Sequence, residues 1–139
     1  MTNLTEEKMM SNSQLQNLVQ TYFCGVDDED IALALSTLSH DCRFSIETHG
    51  VVLNGHDEIS GMFKRLWSSH KSVRHDKFHF VEDPVNSVIA ARFRVTNQLP
   101  NGKLVYKSNC NFFTCVDGVF TTVRVYMAGE NTLDHKGKS

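Results

Sequence analysis

Three polar side chains in this sequence are of types that together can move a proton. Tyr22 ends the apolar stripe of a predicted helix, Asp27 follows at a predicted turn, and His75 lies on the apolar face of a predicted strand. A neutral imidazole suits removal of a proton from carbon next to a carbonyl, and a carboxylate on its other ring nitrogen fixes its tautomer. A buried phenol can donate a hydrogen bond to the oxyanion that then develops.

Two asparagines interrupt the apolar face of another predicted strand. Asn109 and Asn111 share that face with Phe113 and Cys115, where amides are unusual. An amide can donate to an enolate oxygen, and preorganised donors of this kind contribute about 3 kcal/mol each. Asn111 is therefore a candidate second donor beside Tyr22, and we expect both asparagines to contact a substrate.

Each of these residues also has a purely structural explanation. Asp27 can cap a second helix, a role worth about 1 kcal/mol, and Tyr22 can be a core tyrosine bonded to backbone. His75 can be a satisfied or half-exposed strand histidine, and Asn111 can bridge strands or hold a bulge. The residue types leave these alternatives open, and only a shared pocket would distinguish them.

Composition excludes several classes of protein. The 139 residues carry a net charge of −2, which argues against a broad nucleic-acid-binding face. No apolar run approaches the roughly 20 residues of a membrane helix, and residues 1–10 lack the apolar segment of a secretory signal. We expect a cytoplasmic protein with a leader (1–10), a single domain (11–133) and a polar tail (134–139), without nucleic-acid or membrane partners.

The cysteines and histidines do not have the spacing of a metal site. No C-x-x-C pair occurs, so the four cysteines are expected to be small buried hydrophobic residues in a reducing compartment. His75 and His79 would share one strand face, but no third ligand is evident. We therefore expect no metal site.

Helical periodicity appears in three segments near the amino terminus. Ser13 and Gln16 match a capping box, and the helix that they begin is expected to end near Gly25. Asp27 or Asp28 would cap a second helix. Its apolar positions are Ile31, Leu35 and Leu38. A third helix starts at residues 55–58. Its apolar stripe consists of Ile59, Met62, Phe63, Leu66 and Trp67.

Alternation with a period of two predicts the strands. A short hairpin spans 43–48 and 51–53, and longer strands cover 73–82, 88–98, 103–116 and 119–127 in consecutive antiparallel pairs. Helices segregated from such a sheet indicate an α+β domain, and long strands must curl and enclose a pocket. The expected substrate-binding residues are Phe63, Trp67, Asn109, Asn111, Phe113 and Met127. Phe112, Phe120 and Tyr126 are expected on the outer face of the sheet.

Short strings spread over residues 12–132 match the pattern of a known family. They are Tyr22-Phe23, Val26-Asp27, Asp30-Ile31, Asn54-Gly55-His56-Asp57-Glu58-Ile59, Arg74-His75, Phe93-Arg94-Val95, Asn111-Phe112-Phe113, Asp117-Gly118 and Val125-Tyr126-Met127. The chain thereby resembles the SnoaL-like group of the nuclear-transport-factor-2-like superfamily. The resemblance implies a cone-shaped α+β barrel, in which three amino-terminal helices close a curved antiparallel sheet. It also implies a homodimer formed through the outer face of the sheet.

Within that group, the match is nearest to bile-acid 7α-dehydratase-like and scytalone-dehydratase-like enzymes. The resemblance implies that Tyr22, Asp27 and His75 form the catalytic group. Two departures weigh against a ketosteroid-isomerase mechanism. Its basic Asp would fall near Ile46 or Glu47 and is not cleanly present, and its second oxyanion donor is Asn111.

The expected function is a cofactor-independent lyase or isomerase acting on a hydrophobic polycyclic, polyketide-like or steroid-like carbonyl compound. Because the superfamily hosts several reactions and non-catalytic subunits, the alternative is a small-molecule-binding or accessory protein. A third possibility, an epoxide-hydrolase-like Asp–Arg–Asp site, could use Arg92, Arg94 or Arg124 but has no convincing Asp partner on a strand.

Overall fold

The computed structural model describes residues 13–128. Three α-helices, one short 3₁₀ turn and six strands follow one another along the chain. They are α1 (Gln14–Asp27), α2 (Ile31–Ser36), β1 (Leu38–Ile46), the turn Glu47–His49, β2 (Val51–Asn54), α3 (Gly55–Ser69), β3 (Ser72–Asp83), β4 (Val88–Gln98), β5 (Leu104–Val116) and β6 (Val119–Tyr126). The expected leader and tail lie outside the described residues, as do the ends of the expected domain.

Helix starts follow the capping chemistry, but the second cap differs from expectation. The Ser13 hydroxyl accepts a hydrogen bond from the Gln16 amide at 3.0 Å, as the capping box predicts. The second helix is capped by Asp30, whose carboxylate accepts from the Leu33 amide at 3.1 Å. Asp27 is the last residue of α1, so neither it nor Asp28 caps α2. Leu38 likewise begins β1 instead of extending α2.

Gly25 lies inside α1 where α2 crosses it. A Cβ at this position would lie 2.5 Å from the backbone nitrogen of Ala34, so only glycine allows the two helices to approach this closely. The helix continues past Gly25 to Asp27, two residues beyond the predicted end.

The six strands form one curved sheet in the order β2-β1-β6-β5-β4-β3. Strands β3 to β6 pair in consecutive antiparallel order, as the turn signals predict. Strand β1 pairs antiparallel with β2 but parallel with β6, so the sheet is mixed and does not close on itself. The helices contribute to a core shared with the sheet, which gives the expected α+β, cone-like architecture.

A bulge in β3 changes which residues face the core. Lys77 adopts φ 57°, and the pairing with β4 shifts between Asp76 and His79. Beyond the bulge Phe78 packs on Phe23, with ring centroids 5.1 Å apart, whereas His79 is exposed. The expectation that His75 and His79 share one face is therefore wrong, because the extra residue reverses the alternation.

A second irregularity affects β6. Its pairing with β5 shifts between Thr114 and Cys115, and Phe120 is fully buried, 4.7 Å from the ring of Phe113. Phe120 therefore belongs to the core and not to the outer face. Phe112 and Tyr126 do lie on the outer face, 43% and 40% exposed.

The cysteines differ in their surroundings. Cys42 is buried, Cys110 and Cys115 are partly buried, and all of them are free thiols. Cys24 is exposed, which corrects the expectation that all four are buried. Within residues 13–128 no three His, Cys, Asp or Glu side chains converge to hold a metal ion. None of the described helices has the length and hydropathy required to cross a membrane.

Candidate functional site

The end of α1 and the start of β3 bring Asp27 and His75 into direct contact. Nδ1 of His75 lies 2.5 Å from Oδ1 of Asp27, and the backbone N–H of His75 donates to Oδ2 at 2.9 Å. One residue thus engages both carboxylate oxygens. The two side chains are 10% and 11% exposed, so this contact is shielded from bulk water. Asp27 therefore binds His75 and does not cap α2, which is the structural role that the sequence suggests for it.

This contact determines which ring nitrogen is available for chemistry. An ionised carboxylate can only accept hydrogen bonds, so Nδ1 of His75 carries a hydrogen and donates the hydrogen bond to Oδ1 of Asp27. The lone pair of the neutral imidazole then belongs to Nε2. Asp27 also stabilises the imidazolium that forms when Nε2 takes up a proton. The pair therefore has the arrangement of a base and the group that orients it.

Aromatic rings pack around the His75 side chain. The ring centroids of Phe23 and Phe93 lie 4.7 Å and 5.4 Å from that of the imidazole. Phe78, turned inward by the bulge at Lys77, packs on both phenylalanines. An apolar surrounding lowers the local dielectric constant, which strengthens the interaction between imidazole and carboxylate.

His75 borders a cavity between the helices and the concave side of the sheet. The cavity has an empty volume of about 620 Å³, its open mouth included. Its lining consists of Tyr22, Phe23, Val26, Phe44, Ile46, Met62, Phe63, Leu66, His75, Phe93, Asn109, Asn111, Val125 and Met127. Among these described residues only Tyr22 and His75 are ionisable, and neither a lysine nor an arginine is present. The cavity suits an uncharged, mainly apolar molecule.

Tyr22 places a phenol in the wall of this cavity. The residue is 2% exposed, and its ring packs edge-on against Phe63 and Phe113. Burial, reinforced by the nearby Cys42 and Asp27, raises the pKa of Tyr22 well above its usual range. The hydroxyl consequently stays protonated and able to donate.

The two asparagines of β5 also line the cavity, and they differ in their hydrogen bonds. Asn109 is 6% exposed, and its Oδ1 accepts from the Ala128 amide at 3.0 Å. Asn111 is 3% exposed, and its buried Oδ1 has no hydrogen-bond partner among the residues that the structure describes. Asn111 therefore has hydrogen-bonding capacity that the described protein does not use.

Of the other expected substrate-binding residues, Phe63 and Met127 line the cavity, whereas Trp67 and Phe113 do not. The indole N–H of Trp67 donates to the Val26 carbonyl at 3.0 Å, which ties α3 to the end of α1. Phe113 is fully buried behind Tyr22. In the structure Trp67 anchors a helix and Phe113 fills the core, and the expected contact of these two residues with substrate stays a prediction.

Several lining residues were not singled out from the sequence as site residues. They are Phe23, Val26, Phe44, Ile46, Met62, Leu66, Phe93 and Val125. Met62 and Leu66 belong to the same stripe as Phe63, so helical periodicity could have identified them. Phe44 and Ile46 reach the cavity through the parallel pairing of β1 with β6, which local periodicity does not reveal.

The arginines lie outside the cavity lining. Arg94 forms two hydrogen bonds with Asp76, at 2.9 Å and 2.7 Å. This corrects the expectation that no aspartate on a strand pairs with an arginine, and the bond holds the pKa of Asp76 below its usual range. Both side chains are substantially exposed, at 41% and 50%. The described part of the chain therefore does not assemble an Asp–Arg–Asp site in the cavity.

Comparisons with known proteins identify the fold. No family model matches the chain, and no curated protein matches its sequence. Among solved structures, two called "putative polyketide cyclase", from Xanthomonas campestris pv. campestris and Pseudomonas putida KT2440, are 19% and 20% identical with a TM-score of 0.75 each. These alignments cover 87% and 88% of this chain and 93% and 96% of the two structures.

A third similar structure is that of TerC co-crystallised with polyporic acid. It is 16% identical, with a TM-score of 0.73, and the alignment covers 90% of this chain and 97% of TerC. A protein from Burkholderia pseudomallei K96243, described as NTF2-like and of unknown function, has a TM-score of 0.74 at 15% identity over 90% of this chain and 97% of that one. The chain thus has the nuclear-transport-factor-2-like fold that its resemblance to that superfamily implies. At these identities, the similarity concerns the fold alone.

Proposed function

We propose that this protein is a cofactor-independent lyase or isomerase that removes a proton from carbon next to a carbonyl group of a hydrophobic ring compound. The observation that carries this proposal is the Asp27–His75 pair, with Nδ1 and Oδ1 2.5 Å apart, at the wall of an apolar cavity. A histidine with a fixed tautomer beside a shielded apolar space has the properties of a general base.

The proposed reaction begins with Nε2 of His75. It takes a proton from the carbon, the bonding electrons move to the carbonyl oxygen, and Asp27 stabilises the resulting imidazolium. The Tyr22 hydroxyl donates to the enolate oxygen, a contribution of about 3 kcal/mol for a preorganised donor. The imidazolium then returns its proton. Delivered to a departing hydroxyl, the proton yields water and a carbon–carbon double bond; delivered to another carbon, it completes an isomerisation.

The lining of the cavity supports an uncharged substrate. Described residues with a permanent charge are absent from it, so a phosphate or carboxylate bound there would have no counter-ion. The names of the similar structures agree with a ring compound, since two are called "putative polyketide cyclase" and TerC was co-crystallised with polyporic acid. Polycyclic, polyketide-like and steroid-like ketones are therefore the compounds to test first.

The alternative is a binding or accessory protein that uses the same cavity without chemistry. The observation that favours it is the Asn111 amide, which offers hydrogen bonding to a ligand whether or not His75 acts as a base. Binding of a ketone without any proton exchange would support this alternative.

We further propose that a second copy of the chain covers the outer face of the sheet. Phe112 and Tyr126 pack against each other there, with ring centroids 5.8 Å apart, and both remain more than a third exposed. They border a surface groove together with Val88, Thr114 and Arg124. Exposed aromatic side chains of this kind are stabilised when a partner buries them.

Hydrogen–deuterium exchange tests the proposed function. Ketones of one to four rings are incubated with the protein in D₂O, and NMR follows loss of the proton signal next to the carbonyl. Faster exchange with the protein than without it supports the proposal. If compounds bind but none of them exchanges faster than in buffer, the catalytic proposal is wrong and the accessory role is favoured.

A further inference from the structure

Asn111 is a buried amide at the cavity wall. Its cross-strand neighbours are Ala91 on β4 and Val125 on β6, so apolar side chains flank it on both sides. Its Oδ1 is buried without a hydrogen-bond partner among residues 13–128. A buried amide is normally satisfied. A ligand in the cavity is the natural source of the missing partner.

Two other buried polar atoms lack a described partner, but neither lies at the cavity. They are Oγ of Ser39 and Oδ1 of Asn97, and neither residue belongs to the cavity lining. Asn109 does belong to the lining, yet its Oδ1 is already bonded to the Ala128 amide. Asn111 is therefore the described residue that combines an unused buried acceptor with a place in the cavity wall.

The sheet separates Asn111 from the candidate base. His75 lies on β3 and Asn111 on β5, with β4 between them. His75 pairs with Val95 and Asn111 with Ala91, four residues apart on β4, so roughly 10 Å across the strands and roughly 13 Å along them separate the two backbone positions. Phe93 of β4 lines the cavity between them. His75 and Asn111 thus stand at separate places on a floor that is otherwise mainly apolar, with Tyr22 and Asn109 as the other polar lining residues. A ligand that contacts both His75 and Asn111 therefore carries oxygen atoms at opposite ends of an apolar body.

We propose that Asn111 binds a hydroxyl group of the ligand, at the end opposite the carbon that His75 deprotonates. This rests on the proposed function for the role of His75. A hydroxyl can donate to the unpartnered amide oxygen of Asn111, which an ether oxygen cannot do because it only accepts. The substrate class is accordingly a neutral hydroxy-ketone with fused rings. In this arrangement Tyr22 alone stabilises the enolate oxygen, which replaces the expected role of Asn111 as a second donor.

Three bicyclic ketones test this assignment. In 6-hydroxy-2-tetralone the ketone and the hydroxyl stand at opposite ends of two fused rings. 2-Tetralone lacks the hydroxyl, and 6-methoxy-2-tetralone replaces it with a group that only accepts. Dissociation constants are measured by NMR titration for the full chain and for Asn111→Leu. We expect the hydroxyl compound to bind about 10-fold tighter than the other two, and this preference to vanish in Asn111→Leu.

Asn97→Leu is the matched control, because it removes an unpartnered buried amide outside the cavity and should keep the preference. Asn111→Ala serves as a second variant if leucine does not fit. The assignment is overturned if the hydroxyl gives no preference, if the methoxy compound binds equally well, if the preference persists without Asn111, or if none of the three ketones binds.

The same samples separate this inference from the proposed function. Exchange of the protons next to the ketone is recorded in D₂O for each compound. A hydroxyl preference that depends on Asn111, without accelerated exchange, upholds the Asn111 assignment and contradicts the role of His75 as a base. Accelerated exchange without that preference contradicts the Asn111 assignment and upholds the role of His75.

Discussion

Asp27 accepts two hydrogen bonds from His75, one from the backbone N–H at 2.9 Å and one from Nδ1 at 2.5 Å. The backbone bond fixes the carboxylate relative to β3, and the side-chain bond fixes the imidazole relative to the carboxylate. A single aspartate at the end of α1 therefore sets both the position and the tautomer of the candidate base. The candidate chemistry depends on this docking of a helix end against a strand.

Asp27→Asn tests whether His75 needs the negative charge of Asp27 to act as a base. The amide can still accept from the His75 backbone, but it no longer carries the charge that stabilises an imidazolium. We expect the rate of substrate proton exchange to fall about 100-fold or more, with the fold retained. Asp28→Asn changes the exposed neighbouring residue and should leave the rate unchanged. Equal rates for Asp27→Asn and the unmodified protein would contradict the role of Asp27.

Trp67→Phe tests whether α3 holds Asp27 in place. Phenylalanine keeps a ring stacked on Phe63, where the centroids are 5.8 Å apart, but removes the N–H that donates to the Val26 carbonyl. We expect a loss of about 1 kcal/mol in the free energy of unfolding and a several-fold slower exchange reaction.

In Trp67→Phe, the NMR resonance of the His75 Nδ1 proton reports whether Asp27 has moved. We expect this resonance to move upfield, because the hydrogen bond to Asp27 lengthens. Loss of stability with an unchanged resonance and an unchanged rate would limit Trp67 to a structural role.

Alkaline stability tests the burial of Tyr22. Its pKa is raised in the folded protein, chiefly by burial, and burial with the nearby Asp41 raises the pKa of Cys42 to about 12. Above about pH 10 the unfolded chain loses the tyrosine proton that the folded chain keeps. The contribution of Tyr22 to stability is therefore fully present below that pH and is lost as the pH rises, by about 1 kcal/mol per pH unit. The contribution of Cys42 is lost in the same direction from about pH 8.5, the ordinary pKa of a thiol.

Tyr22→Phe should make the decline with pH shallower, whereas Tyr106→Phe, at a tyrosine that is 59% exposed, should not. Urea unfolding at pH 8, 10 and 11 measures this decline. Identical slopes for Tyr22→Phe and the unmodified protein would show that the folded state does not protect the Tyr22 proton.

The outer face of the sheet provides a test of association. If a second copy covers Phe112 and Tyr126, replacing both with serine should shift the molar mass in light scattering from dimer to monomer. Val85→Ser alters an apolar residue that is 90% exposed in the β3–β4 turn and serves as the control. A monomeric unmodified protein, or a double variant that remains dimeric, would exclude this face as the interface.

Local sequence patterns predict most elements because capping, periodicity and turns are local. The Ser13 cap, the apolar stripe of α3 and the strands β3 to β6 are of this kind. The start of α2 is harder to predict, because Asp27, Asp28 and Asp30 are all residues that can cap a helix. In the structure the cap is Asp30, which lies directly before Ile31. Choosing between them requires knowledge of where the helix packs.

Long-range features could not be predicted from local patterns. The bulge at Lys77 adds one residue to a regular alternation, and nothing in the residue types around it indicates this. The Trp67 contact with Val26 spans 41 residues, and the parallel pairing of β1 with β6 spans most of the domain. Apolar periodicity placed Trp67 on the inward stripe of α3 but could not distinguish a cavity wall from a helix anchor.

The central claim is that His75 removes a proton from carbon, and 2-tetralone exchange in D₂O measures this most directly. The matched pair is His75→Gln and His79→Gln, two histidines of β3 of which only the first borders the cavity. We predict that the unmodified protein and His79→Gln accelerate loss of the proton signal next to the ketone, whereas His75→Gln does not exceed buffer. Acceleration that survives in a folded His75→Gln protein would contradict the account.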